Sequence, residues 1–249
     1  MRLTIVGCAG SFPGPDSPAS CYLLEADGFR MLLDLGNGAL GTMQRHVGLF
    51  EVDAICLSHL HGDHCLDMCA YWVARYYAPD EPRPRIPVYG PDGTATRLAQ
   101  ASGLGPGPGM TSVFDFVRLH KGRRQIGPFV VTADHMDHPV ETFGFRIEHG
   151  GKVLTYSGDT GQSAALVTLA KSADVLLCEA SFLDGPGLPA GLHLTGREAG
   201  EHAARADAGH LVLTHLVPGN DPARSLTEAV GAFGGTISLA SSGRVLDLG

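Results

Sequence analysis

Residues 58–64 read Ser-His-Leu-His-Gly-Asp-His, a segment that is unusually rich in side chains able to bind metal ions. The apolar run Ala54–Leu57 comes directly before it and is predicted to be a short strand. The apolar run Cys65–Tyr76 comes directly after it and is predicted to be a helix. The segment therefore lies just past the carboxyl end of a strand, where α/β sheets collect their functional side chains.

The spacing within this segment suits two metal ions that share one site. His59 and His61 point to the same side of an extended chain, because side chains alternate along a strand. Asp63 and His64 follow at the helix entrance and can face a second point. Imidazole favours zinc, manganese or iron, and a carboxylate balances the charge. The alternative is a set of loop histidines with Asp63 as a helix cap, and this spacing disfavours it.

The composition is that of an ordinary folded protein. The 249 residues are 44% hydrophobic and 18% charged, which argues against intrinsic disorder. A net charge of −8 excludes, as a default, a basic surface for nucleic acid or anionic membrane. We see neither a membrane-spanning run nor a signal peptide, and the six cysteines lack CxxC spacing. We therefore expect a cytoplasmic protein with reduced thiols and no membrane partner.

Short predicted strands and helices alternate along the chain, separated by many glycines and prolines. Cys21–Ala26 and Phe29–Asp34 predict a hairpin around the turn Asp27-Gly28. Other strands are predicted at Leu3–Gly7, Pro87–Tyr89, Val113–Arg118, Phe129–Asp134, Thr142–Glu148, Lys152–Tyr156, Val175–Ala180, His210–Thr214, Thr236–Leu239 and Arg244–Leu248. Other helices are predicted at Ala39–Val47, Gly93–Ala101, Ser163–Ala170, Thr195–Ala206 and Arg224–Ala232.

This order of elements predicts an α/β fold, a four-layer αββα sandwich in which helices cover two sheets. No clean linker divides the chain, so we expect residues 1–249 to form a single domain. Gly103–Met110 is interpreted as a mobile loop, and the sequence leaves open whether it acts as a lid. His120–Arg124 is expected to be a solvated hairpin tip, with a contact to a substrate phosphate as the alternative.

The sequence resembles the metallo-β-lactamase superfamily, whose metal-binding signature is His-x-His-x-Asp-His, over nearly its whole length. Three further residues match the later ligands of that superfamily in order: His138 before Pro-Val-Glu-Thr-Phe-Gly-Phe, Asp159 in Tyr-Ser-Gly-Asp-Thr, and His215 in Leu-Thr-His-Leu. The resemblance implies that one metal ion is bound by His59, His61 and His138, a second by Asp63, His64 and His215, and that Asp159 bridges them. Two divalent ions are implied, with zinc expected and manganese as the alternative.

His135 is the alternative to His138, since it lies only a few residues earlier. We prefer His138 because Gly144 and Phe145 follow it at the spacing of the superfamily's histidine-x5-glycine-aromatic pattern.

Two shorter segments resemble ribonuclease Z enzymes. Cys178-Glu179-Ala180-Ser181 resembles their His-Glu-Ala-Thr segment, and His193-Leu194-Thr195 resembles their His-Ser-Thr loop. This resemblance implies that His193 stabilises the phosphate and protonates the leaving oxygen, with Glu179 orienting it. Asp63 is expected to orient the nucleophile and to serve as general base.

Three features set the sequence apart from enzymes that process tRNA. Cys178 stands where those enzymes have histidine, and Leu-Val-Pro-Gly-Asn follows His215 in place of their Ser-x-Arg-Tyr. The interval between His138 and Asp159 is too short for their tRNA-clamping arm. The sequence is more similar to an actinobacterial-type branch described as atypical cyclic-nucleotide phosphodiesterases, on the segment Gly14–Ser20 together with Cys178–Ser181 and His193-Leu194-x-Gly196.

We therefore expect a binuclear metal-dependent hydrolase that cleaves phosphodiester bonds of small, cyclic nucleotides. The alternatives are an RNA 3′-processing endonuclease like ribonuclease Z, a thioester or lactone hydrolase of the same fold, and a metal-stabilised protein that binds a nucleotide without turnover. The expected partner is a small phosphodiester such as a cyclic nucleotide, RNA is less favoured, and a homodimer is left open.

Overall fold

The computed structural model describes residues 1–78, 83–105 and 107–249. Within these ranges the strands form two sheets of seven. The first sheet has the order β14-β1-β2-β3-β4-β5-β6, formed by β1 (Arg2–Gly7), β2 (Cys21–Ala26), β3 (Phe29–Leu33), β4 (Ala54–Cys56), β5 (Ile86–Gly90), β6 (Phe114–Arg118) and β14 (Val245–Asp247).

The second sheet has the order β13-β12-β11-β10-β9-β8-β7. Its strands are β7 (Gly122–Ile126), β8 (Phe129–His135), β9 (Phe143–His149), β10 (Lys152–Tyr156), β11 (Val175–Glu179), β12 (His210–Thr214) and β13 (Thr236–Leu239). The helices are α1 (Ala39–Met43), α2 (Gly62–Cys65), α3 (Asp67–Tyr76), α4 (Thr94–Ala101), α5 (Ala164–Leu169), α6 (Gly196–Ala206) and α7 (Pro222–Val230). None of these helices is both long and apolar enough to cross a membrane.

Three apolar clusters show how the layers stack. One cluster joins the inner faces of the two sheets and includes Tyr22 from β2 and Phe145 from β9. A second joins the first sheet to α1, α3 and α4, and a third joins the second sheet to α5, α6 and α7. Each fully buried large apolar side chain contributes about 1.5–3 kcal/mol to such a core. The four-layer αββα sandwich predicted from the sequence is therefore confirmed.

Local turn chemistry explains the hairpin of the first sheet. Asp27 and Gly28 have φ values of 50° and 81°, and both lie in the left-handed region. The type I′ form of the two-residue hairpin turn needs positive φ at both positions, which aspartate tolerates and glycine adopts freely. The predicted hairpin is confirmed, with β3 ending at Leu33 so that Asp34 is released from the ladder.

Two predicted helices were wrong in detail. The predicted helix Cys65–Tyr76 is two helices in the structure. The first already begins at Gly62, and the second begins at Asp67, after Leu66. The predicted helix Ala39–Val47 ends at Met43, beyond which the chain continues in single turns. In both cases the apolar pattern continues past the residue at which the helix ends.

The basic segment His120–Arg124 is not a hairpin tip. Most of it lies in β7, an edge strand paired antiparallel to β8. Its alternating exposed and half-buried residues are polar because one face of an edge strand meets solvent. Lys121 and Arg123 pair with Asp134 and Glu148 at 2.9 and 3.6 Å, so both cations already have acidic partners.

Gly103–Met110 contains neither helix nor strand in the residues that are described, as expected; Pro106 lies outside them. Its predicted mobility stays a prediction.

The sheets bring the polar segments to one edge of the sandwich. β10, β11 and β12 are parallel neighbours, so their last residues Tyr156, Glu179 and Thr214 lie at the same edge of the second sheet. β4 ends at Cys56 in the first sheet, shortly before the histidine-rich segment. The chain therefore delivers side chains from both sheets to a common point.

Candidate metal centre

The seven side chains expected to bind metal lie in two overlapping groups. In each group the possible ligand atoms are all within 4.8 Å of one another. The first group contains His59, His61, His138 and Asp159, and the second contains Asp63, His64, Asp159 and His215. The groups share Asp159, which is the arrangement expected for two ions joined by one carboxylate.

Hydrogen bonds outside the groups fix which imidazole nitrogen faces inward. The Nδ1 atom of His138 donates to the carbonyl of Leu192 at 2.8 Å, since a carbonyl can only accept. The Ser181 hydroxyl donates to the carbonyl of His215 at 2.8 Å and therefore accepts from Nδ1 of the same residue at 2.7 Å. In both histidines the Nε2 atom is left with a free lone pair.

The same reasoning applies to the two histidines of the first sheet. The Ser58 hydroxyl donates to Asp34 at 2.8 Å and so accepts from Nδ1 of His59 at 3.0 Å. Nδ1 of His64 donates to Asp34 at 2.7 Å. The Nε2 atoms of His59 and His64 therefore also point toward the other candidate ligands. In His61 the Nδ1 atom points toward them.

These nitrogen atoms converge to distances at which either a shared proton or a metal ion must lie between them. His64 Nε2 and His215 Nε2 are 3.1 Å apart, and His59 Nε2 and His61 Nδ1 are 3.0 Å apart. The buried Oδ1 atom of Asp159 accepts no hydrogen bond of good geometry from the described residues. Unpaired buried acceptors are costly, so the donor set fits metal ions, which accept lone pairs without supplying protons.

The electrostatics of the first group keep its imidazoles neutral. Burial lowers the pKa of His59 well below its ordinary value, and the neighbouring His64 lowers it further. Burial also lowers the pKa of His61 and of His138. A neutral imidazole is the form that binds a metal ion.

The second group lies in a strongly negative environment. Burial alone would lower the pKa of His64, but the carboxylates of Asp159 and Asp34 raise it well above its ordinary value. Burial alone would raise the pKa of Asp159, but His215 and His64 hold it well below its usual range. A proton on His64 occupies the place of positive charge that a bound cation would take.

Asp34 is a residue of the site that the sequence analysis missed. Its fully buried carboxylate accepts hydrogen bonds from the Ser58 amide at 2.6 Å and the Tyr156 hydroxyl at 2.7 Å, besides those from the Ser58 hydroxyl and His64. Carboxylates that hold a ligating histidine fix its ring orientation and tautomer. The signal in the sequence is an acidic residue at the end of an apolar run, which the sequence analysis assigned to the predicted strand Phe29–Asp34.

Two glycines let the backbone approach the ligands closely. A Cβ at Gly36 would lie 1.9 Å from the carbonyl oxygen of Asp63, and one at Gly10 would lie 2.3 Å from that of His215. The amide of Ser11, next to Gly10, donates to Asp63 Oδ2 at 2.9 Å. His215 itself has a φ of 56°, a strained conformation that such packing must hold in place.

His193 and Glu179 form a separate pair beside the two groups. Nδ1 of His193 lies 2.9 Å from Oε1 of the fully buried Glu179, which also accepts from the Thr160 amide at 2.7 Å. Burial alone would lower the pKa of His193, but the hydrogen bond to Glu179 raises it above its ordinary value. The ring centroid of His193 is 5.6 Å from that of His138 and 5.5 Å from that of His215.

Glu179, His193 and His215 also satisfy the distance test for a metal group. We interpret His193 and Glu179 as an acid–histidine pair, because hydrogen bonds already occupy Oε1 of Glu179 and Nδ1 of His193. His135 lies outside all three groups, exposed and 4.5 Å from the Phe143 ring by centroid distance. The structure thus brings His138, and not His135, to the site.

Comparisons with known proteins identify the family of the chain. The family model of the beta-lactamase superfamily domain matches residues 30–216. An uncharacterized protein of Mycobacterium leprae is 43% identical over 100% of this chain and 89% of its own length. A ribonuclease Z of Mycolicibacterium gilvum is 31% identical over 89% of this chain and 86% of its own.

The probable metallo-hydrolase YhfI of Bacillus subtilis is 30% identical over 98% of this chain and 99% of its own length. The crystal structure of YhfI, a metallo-beta-lactamase fold protein, superimposes with a TM-score of 0.87 at 29% identity and covers 99% of each chain.

We predict that Asp34→Asn weakens metal binding by about 10–100-fold, the usual effect of losing a carboxylate behind a ligating histidine. The loss should fall on the ion held by His64, because a neutral amide cannot supply the negative charge that fixes its ring. Competition with a chromophoric chelator measures the affinity, and thermal unfolding checks the fold. Asp115→Asn is the control, since Asp115 is exposed on β6. Equal affinities in the wild type and in both variants would contradict the role of Asp34.

Proposed function

This chain belongs to the metallo-β-lactamase superfamily of hydrolases, and from that premise we propose that it is a binuclear phosphodiesterase of small, cyclic nucleotides. The observation that carries the proposal is the convergence of free imidazole lone pairs and carboxylates in two groups that share Asp159. A histidine–glutamate pair next to both groups supplies the second element that phosphodiester cleavage needs.

We propose zinc as the metal, with manganese as the alternative, because five of the seven ligands are imidazoles. When bound, a pair of divalent ions supplies Lewis acidity, which lowers the pKa of water and offsets negative charge on the phosphoryl oxygens.

Asp63 is proposed to orient the attacking water and to receive its proton. The Ser11 amide holds one of its oxygens at 2.9 Å, and His215 Nε2 lies 3.1 Å from the same oxygen. Burial alone would raise the pKa of Asp63, but the adjacent imidazoles of His215 and His64 lower it. Because a carboxylate with a lowered pKa is a weak base, orientation is the larger part of the proposed role.

His193 is proposed to protonate the leaving oxygen. Its raised pKa keeps the imidazole protonated closer to neutral pH, which is the state that a general acid requires. Its Nδ1 atom is held by Glu179, so Nε2 is the atom available to the substrate. Glu179 thus orients the acid and stabilises its charge.

Two observations favour a small substrate over tRNA. Most of the chain between His138 and Asp159 consists of β9, a tight turn at Gly150-Gly151 and β10. No clamping arm extends from this part of the chain. The net charge of −8 also disfavours the many phosphate contacts that a folded RNA offers. The similarity to ribonuclease Z supports the RNA 3′-processing activity as the second candidate.

A substrate panel tests the proposal directly. Metal-loaded protein should hydrolyse bis(p-nitrophenyl) phosphate and cyclic AMP, and should bind precursor tRNA weakly at physiological salt. A thioester and a lactone complete the panel, and His59→Ala serves as the metal-site control. Efficient 3′ cleavage of precursor tRNA would favour the second candidate, and thioester or lactone hydrolysis without phosphodiesterase activity would contradict both.

We predict that His193→Ala retains its metal ions but loses about 10²–10⁴-fold in kcat on a substrate with a poor leaving group, the usual contribution of general acid catalysis. A ribose hydroxyl is such a leaving group. The loss should shrink on a p-nitrophenyl ester, because p-nitrophenolate departs without a proton. Steady-state rates on the two substrates, together with metal analysis, measure the effect.

His135→Ala is the matched control, since this exposed histidine lies at the same edge outside the ligand groups. Glu179→Gln provides a second readout. The rate on the poor leaving group falls as pH rises through the pKa of the acid, and losing Glu179 lowers that pKa, so the falling limb should move to lower pH. Equal losses on both leaving groups would indicate phosphate binding by His193 instead of proton donation.

A further inference from the structure

A cavity of about 230 Å³ adjoins the His193 side chain. It is lined by the loop that precedes α6, by the residue before His138 and by the first turn of α6. The side chains of the lining include Asp137, Gln162, Phe182, Leu188, His193 and Glu198. The residue proposed to protonate the leaving oxygen therefore forms part of its wall. A group attached to that oxygen has this cavity directly available to it.

The wall of the cavity is tied to the metal ligands. The Leu192 carbonyl accepts a hydrogen bond from His138 Nδ1, and a Cβ at Gly161 would lie 2.7 Å from the Gly191 Cα atom. The Gly161 amide donates to the Asp137 carbonyl at 2.7 Å. These contacts hold the loop against the site, so the cavity has a fixed position relative to His138.

The charge of the lining disfavours a second phosphate. Asp137 and Glu198 are both acidic, and the lining includes no lysine or arginine among the described residues. Asp137 is exposed and immediately precedes a metal ligand, so its carboxylate faces the same solvent that a substrate enters from. Like charges repel across such a short distance, and an uncharged group is accepted more readily than an anion.

The hydrogen-bonding groups of the lining are mainly acceptors. The amide nitrogen of Gln162 donates to Glu198 Oε1 at 2.7 Å, and this fixes the amide orientation because a carboxylate can only accept. The Gln162 carbonyl oxygen is left over, and no described residue donates to it. Together with the Asp137 carboxylate it favours a ligand that carries N–H or O–H donors.

Phe182 supplies the apolar part of the cavity. Its ring is perpendicular to that of His193, with an interplanar angle of 90° and a centroid distance of 5.2 Å. The ring is only partly buried and lines the cavity, so its free surface is available to a planar ligand. Stacking on an aromatic side chain is the usual way in which a protein holds a nucleobase.

We propose that this cavity binds the uncharged organic group of the phosphodiester on the leaving-group side, and that Phe182, Gln162 and Asp137 set its chemistry. The ligand is a planar, donor-bearing ring, and a second phosphate on that group is rejected. The inference rests on the proposed phosphodiesterase function. In this proposal the three side chains determine substrate specificity. The metal centre and His193 carry out bond cleavage.

Calorimetric titration of the metal-loaded protein with product-like probes tests the role of Phe182 without turnover. Wild-type protein should bind adenosine 5′-monophosphate more tightly than ribose 5-phosphate. Phe182→Ala should bind the nucleotide about tenfold more weakly than wild type does. Its affinity for the sugar phosphate should be unchanged. Tyr77→Ala is the control, since Tyr77 is an exposed aromatic residue outside the cavity. Equal affinities for both probes in wild type, or an equal loss on both in Phe182→Ala, would overturn the proposal.

The role of Asp137 is tested with adenosine 3′,5′-bisphosphate against the monophosphate. Asp137→Lys should raise the affinity ratio in favour of the bisphosphate by about tenfold, because it replaces repulsion by attraction at the cavity wall. Asp115→Lys makes the same change in net charge at an exposed position of β6 outside the cavity and should leave the ratio unchanged. The same ratio in both variants would overturn the charge argument.

The proposed function and the assignment of the cavity can be contradicted independently. If the wild-type protein hydrolyses no phosphodiester but the affinity ratios change as described, the proposed function is wrong and the cavity still selects an uncharged ring. If phosphodiesters are hydrolysed and the ratios do not change, the function stands and the assignment of the cavity is wrong.

Discussion

The buried carboxylate of Asp34 joins the two sheets at the point where the site is built. It follows β3 of the first sheet and accepts hydrogen bonds from Ser58, which follows β4 of the same sheet. It also accepts from the hydroxyl of Tyr156, the last residue of β10 in the second sheet. Its remaining partner is His64, so one carboxylate links the two sheets and orients one ligand. A buried carboxylate of this kind is tolerated because it accepts four hydrogen bonds, one at Oδ1 and three at Oδ2.

The candidate ligands are divided between the two sheets in the same way. The first sheet delivers the histidine-rich segment, and the second delivers His138, Asp159 and His215 after β8, β10 and β12. Cations held between them would link the halves of the sandwich at its open edge. Metal binding and folding are coupled in such an arrangement, because the preformed site exists only when both sheets are packed. The same edge carries His193, so the proposed acid and the proposed metal pair share one support.

The parts of this structure that a local pattern encodes could be predicted from the sequence. The hairpin around Asp27-Gly28 follows from turn chemistry, and the histidine-rich segment at the end of β4 is contiguous. His138, Asp159 and His215 are far apart along the chain, and only the resemblance to a known family grouped them. Asp34 and Ser181 escaped notice because their role depends on partners more than 20 residues away along the chain. β7 was missed since a polar edge strand looks like a loop.

Elemental analysis of protein never exposed to a chelator tests the central claim, that the shared carboxylate of Asp159 joins two metal sites. The account predicts about two divalent ions per chain, as a binuclear hydrolase requires. His215→Ala, which removes one ligand of the second group only, should retain about one ion. One ion or fewer in the intact chain, or an unchanged content in His215→Ala, would contradict the account.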